Sequence, residues 1–111
     1  LFVITADHTA LSDNPIYQNR QGMYSIPILF FMPSDHLQGT NTATSQQIDL
    51  LPTIMSYLNY DEPYFAFVQT IFTNQKSGFA ITYLNETYQF IENNYALITD
   101  NNDRNEYYFP A

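Results

Sequence analysis

The chain has 111 residues with nine Phe, ten Tyr and no Cys, and its three Lys+Arg face eleven Asp+Glu for a formal net charge of −8. That length is one domain at most, and the aromatic content excludes disorder by composition. The acidic balance argues against nucleic acid or an anionic membrane surface as a direct partner, and the absence of Cys excludes both a disulfide framework and a thiolate zinc site. No apolar run reaches the length of a membrane span, and no signal peptide is present.

The sequence opens Leu1-Phe2-Val3-Ile4-Thr5-Ala6-Asp7-His8. Four consecutive apolar residues predict a strand covered on both faces, as in the parallel sheet of an α/β protein. Ligand groups in such sheets gather just past the carboxyl ends of the strands. Asp supplies hard oxygen and His supplies imidazole nitrogen, a pairing suited to zinc, manganese and similar ions. Starting inside a strand, the chain reads as the C-terminal part of a larger metalloenzyme that carries part of an active site.

Residues 8–24 are polar and turn-rich, punctuated by Ser12-Asp13-Asn14-Pro15, and predict a loop at the edge of that site. Ser12, Asn14 and Arg20 are candidates there for touching an anionic substrate, since guanidinium suits phosphate or sulfate; a solvated loop is the plainer reading of all three. Residues 26–32 predict a second buried strand, its Pro27 and Pro33 placed where no ladder donor is required. A long loop over 33–45 follows, holding a second adjacent pair, Asp35-His36, with no assigned role.

Asp49 as N-cap and Pro52 in the first turn predict a helix ended by Asn59 and the Asp61-Glu62-Pro63 turn. Its core-facing stripe is Leu50, Leu51, Ile54, Met55 and Leu58. Asp49 is read as a cap and not as a catalytic acid. Beyond Tyr64 the period changes: residues 65–68 predict a short strand and 73–78 a turn. Strands at 79–84, 87–91, 95–99 and 106–109 follow, separated by turns at Asn85-Glu86, Asn93-Asn94 and 100–105. Separations that short specify hairpins, hence an antiparallel meander. Its Tyr and Phe residues are read as sheet packing, and the Asn85-Glu86-Thr87 sequon as a hairpin turn.

Three segments together carry a family resemblance: Ile4-Thr5-Ala6-Asp7-His8, Ser25-Ile26-Pro27-Ile28-Leu29-Phe30-Phe31, and Gln47-Ile48-Asp49-Leu50-Leu51-Pro52-Thr53-Ile54. In that order they resemble the C-terminal part of the sulfatase and alkaline phosphatase superfamily, and within it the lipoteichoic acid synthase-like sulfatases. Phe65-Ala66-Phe67, Ala80-Ile81-Thr82-Tyr83-Leu84 and Tyr88-Gln89-Phe90-Ile91 are similar to the terminal sheet of that branch. The resemblance implies a C-terminal fragment of an alkaline phosphatase-like α/β fold: two buried strands and a helix over 1–63, then a small antiparallel meander over 64–111.

By the same resemblance, Asp7 and His8 are ligands of a catalytic divalent metal (Mn, Zn, Mg or Ca), with the nucleophile and the other ligands upstream. The substrate is then a phosphate or sulfate ester on lipid or glycan. The activity is that of a phosphoglycerol transferase or sulfuric ester hydrolase, with a phosphoethanolamine-type transferase as a further variant. The parent is membrane-anchored, its catalytic domain on the extracytoplasmic face of the bacterial cell membrane. The fragment alone is inactive, and its exposed strand edges favour self-association. An adjacent Asp-His pair can also be a plain turn. The alternative class is therefore a non-catalytic binding module with an aromatic β-sheet recognition surface.

Overall fold

The computed structural model describes residues 1–36, 38–68, 70–72, 78–93, 95–100, 102 and 105–108. The expected turn at 73–78 falls outside them except for Gly78, as do Asn94, Asn101, Asp103, Arg104 and Phe109. By its elements the chain is mixed α/β, with antiparallel sheets and short helices. It forms two compact units, Leu1–Asn41 and Thr42–Ala111. The helix over 50–57 belongs to the same unit as the meander, on the far side of the boundary at 41/42 and not divided from it at 63/64.

In the first unit, β1 (Phe2–Ile4) and β2 (Leu29–Phe31) pair antiparallel, Phe2 opposite Phe31 and Ile4 opposite Leu29. This corrects the expectation of two buried strands of a parallel sheet. Cross-strand partners share a face, and Phe2, Ile4, Leu29 and Phe31 are each more than half exposed. A continuous apolar run records apolar surroundings on both sides, yet two three-residue strands provide no layer to cover either side. Between them, Thr9 N–H and Thr9 Oγ1 both donate to Met23 O, at 2.9 and 3.1 Å, and close the loop that follows Asp7-His8. Inside that loop a 3-10 turn, Pro15–Tyr17, leads to the single turn of α1 (Arg20–Met23). Gly22 is required there, because a Cβ would fall 1.7 Å from Ile16 O.

In the second unit, a 3-10 turn over Gln47–Asp49 runs directly into α2 (Leu50–Tyr57). The helical turn thus starts earlier than expected and changes the role of Asp49. Its carboxylate accepts from Gln46 N at 2.7 Å, closing the 3-10 turn, and does not cap α2. Pro52 is in the first turn of α2 as expected, where its missing N–H has no intrahelical partner. The core-facing stripe is rotated: Pro52 and Thr53 are buried, whereas Leu51 and Leu58 lie about half exposed. Asn59, at φ 52°, ends the helix in the left-handed region. Tyr60 N donates to Met55 O and Asn59 N to Ser56 O, the bond pair of a Schellman motif. Residues 65–68 form no strand, which corrects that expectation; Phe65 and Phe67 instead make an edge-on ring contact at 4.8 Å.

The meander is as expected: β3 (Phe79–Leu84), β4 (Thr87–Glu92), β5 (Tyr95–Asp100) and β6 (Asn105–Tyr108) pair antiparallel in sequence order. Leu84 pairs with Thr87, which leaves the two-residue turn Asn85-Glu86. Both turn residues have positive φ, at 51° and 61°, as a type I′ turn requires. Alternation then sorts the side chains onto two faces. Gln89 and Ala96 lie buried on one face. Phe79, Ile81, Tyr83 and Tyr88 lie on the other, and all four are substantially exposed. The free edge of β3 is partly covered, since Gln46 Oε1 accepts from Ile81 N at 3.1 Å. Thr44 O passes 2.0 Å from where a Cβ on Gly78 would sit, so only Gly allows that approach.

Candidate functional site

Beyond the end of β1, after Thr5 and Ala6, Asp7 and His8 form a bend on the surface, with side chains 88% and 59% exposed. Asp7 Oδ1 accepts from His8 N at 3.0 Å, so the carboxylate is folded back over the following residue. The His8 ring is fixed from its other side, with Nδ1 2.8 Å from Thr9 O. A carbonyl only accepts, so Nδ1 carries a hydrogen in this contact, and in the neutral ring the lone pair is then on Nε2. His8 Nε2 and Asp7 Oδ2 then face each other 3.6 Å apart.

At that separation, and with both side chains open to solvent, the two acceptor atoms can share a water, a proton or a cation. A second proton on His8 makes the pair an ion bridge. A cation makes it half of a metal site: two donors on one zinc-like ion at about 2.0–2.2 Å lie roughly 3.3 Å from one another in a tetrahedral shell. The Thr9 carbonyl has the place of the outer partner that orients a ligating imidazole. The donor pair therefore fits a divalent ion. Among the described residues, no group of three or more His, Cys, Asp or Glu side chains comes together to complete a shell.

The other residues singled out from the sequence have local structural work. Asn14 Oδ1 accepts from Ile16 N at 3.0 Å and starts the 3-10 turn, and Ser12 Oγ accepts from Asn14 N at 3.1 Å. Arg20 is half-buried as the first residue of α1. Asp35 Oδ1 accepts from His36 N at 2.7 Å, the same backbone capture seen at Asp7. Asp49 is buried away from solvent; desolvation pushes its carboxyl above the usual carboxylate range, and the hydrogen bond from the Gln46 backbone opposes that rise. Thr9 was not legible as a site residue, because a backbone carbonyl has no side-chain signature.

A cavity of about 380 Å³ in the other unit is lined by Tyr83, Asn85, Glu86, Thr87, Asp100 and Asn102, and involves neither Asp7 nor His8. Among the described residues, no helix is long and apolar enough to cross a membrane. No protein-family model, curated protein or solved structure matches this chain.

Proposed function

We propose that this chain is the C-terminal part of a metal-dependent sulfatase-family enzyme acting on phosphate or sulfate esters, most like a phosphoglycerol transferase. Asp7 and His8 supply two ligands of its catalytic divalent cation. The observation that carries the reading is the paired approach of His8 Nε2 and Asp7 Oδ2, with the ring held by Thr9 O. The ordered series of Asp-His, apolar strand and Asp-x-x-Pro-Thr helix supports it from the sequence. The nucleophile and the remaining ligands lie upstream, and the parent enzyme works on the extracytoplasmic face of a bacterial membrane.

When bound, the cation supplies a Lewis acid for the non-bridging oxygens of the ester. Asp7 contributes the negative charge that holds the ion, and His8 contributes a neutral donor whose tautomer Thr9 fixes. An ion at this position also resolves the conflict between an acidic chain and an anionic substrate, because it reverses the local field. In the full-length enzyme, Asp7→Asn and His8→Ala are each expected to lower bound metal and to abolish turnover. Unchanged metal content and activity in both variants would refute the assignment.

The exposed apolar face of β1 and β2 belongs to the same reading, as surface that the rest of the catalytic domain covers. By itself the 111-residue chain is expected to self-associate through it. Light scattering checks this: mass should rise with concentration and return to that of one chain in Phe31→Lys. A concentration-independent monomer counts against it.

A further inference from the structure

The outer face of the meander is built in three cross-strand rows. Phe79, Glu92 and Tyr95 form the first row, a carboxylate with an aromatic ring on each side. Ile81, Phe90 and Leu97 stand in the second, an apolar run across β3, β4 and β5. Tyr83, Tyr88 and Thr99 form the third, with the two tyrosine ring centroids 4.7 Å apart. Phe79 and Phe90 stack across the first two rows with centroids 5.7 Å apart and planes inclined by 20°. This is more exposed aromatic surface than sheet packing needs: Tyr83 is 57% exposed and Tyr95 61%.

We propose that this face docks a basic polypeptide segment that presents two Arg or Lys side chains with an apolar residue between them. Aromatic faces attract cations through their quadrupoles, and a carboxylate between two rings suits a guanidinium that pairs with one and stacks on the other. The first and third rows are four residues apart along β3, roughly 13 Å, which an extended partner spans between its residues i and i+4. Charge complementarity selects this occupant. Residues 42–111 hold eight of the eleven carboxylates and two of the three Lys+Arg, so a second copy would bring like charge onto like. A neutral glycan would use the rings and could donate hydroxyls to Glu92, but it would gain nothing from the net negative charge of this unit. The proposal does not depend on the metal reading, since it rests on a different unit of the chain.

The test titrates the full chain with a peptide of Arg-Thr-Leu-Thr repeats and follows the backbone amide resonances. Shifts are expected on β3, β4 and β5, weakening as salt is added. The double variant Tyr83→Ala/Tyr88→Ala should weaken binding by about tenfold. The isosteric Glu92→Gln, which leaves the sheet intact, should weaken it by about threefold. The proposal is overturned by absence of binding, by equal binding of Glu-Thr-Leu-Thr repeats, or by shifts confined to other elements. Occupation of the face by a linear glucan or by a second copy in preference to the basic peptide overturns it equally.

Discussion

Thr53 ties Ile71 to the helix: its Oγ1 accepts from Ile71 N at 3.0 Å while donating to Asp49 O at 2.6 Å. The side chain is fully buried, so its hydroxyl has no water to turn to, while the bond from Ile71 is part-buried. Thr53→Val keeps the shape and removes both bonds. Stability should fall by about 2 kcal/mol, read from urea unfolding at constant slope. Thr53→Ser keeps the hydroxyl and should cost less than Val.

Asp49 makes stability depend on pH in an unusual direction for a carboxylate. Burial raises its pKa above the ordinary value of 3.8, so the folded chain holds this proton more tightly than the unfolded chain. The contribution of Asp49 is therefore most favourable below the unfolded value and declines as pH rises through the raised value. Asp49→Asn removes the desolvated charge and keeps an oxygen for Gln46 N. Unfolding at neutral pH should show the variant at least as stable as the parent chain, with a flatter pH profile on the acid side. A large loss of stability in Asp49→Asn would contradict this account.

The meander could be read from sequence because its determinants are local. Branched and aromatic residues alternate, and Asn residues mark the reversals at Asn85 and Asn93, both at positive φ. The stop at Asn59 was legible for the same reason, since Asn tolerates the left-handed region better than most residues. What failed depended on surroundings. The run Leu1 to Ile4 is as apolar as any buried strand, and only the partner strand decides that it pairs antiparallel and stays exposed. Likewise the stripe on α2 followed ideal helical spacing, while the preceding 3-10 turn shifted its phase and put Thr53 at the centre. Of the candidate site, the donors Asp7 and His8 were visible as residue types. Their approach and the hold of Thr9 on the ring were not.

Glu86 offers a check on the turn itself. Its φ of 61° puts a side-chain-bearing residue in the left-handed region, in the second position of a type I′ turn where Gly is preferred. Glu86→Gly should therefore raise stability by about 0.5–1 kcal/mol, the strain relief exceeding the entropy that Gly adds to the unfolded chain. Thermal unfolding reads it as a higher midpoint.

Direct observation of the His8 ring during titration with zinc tests the central claim, that Asp7 and His8 act as a pair of donors to one divalent ion. His36 is an internal control, because it also follows an Asp whose carboxylate captures its backbone N–H. With two protein donors the affinity should be weak, and nitrogen-detected resonances should report metal at His8 Nε2 before any effect at His36. Asp7→Asn should abolish that preference. Equal response of the two rings, or an unchanged His8 response in Asp7→Asn, would show that the pair forms only a surface turn.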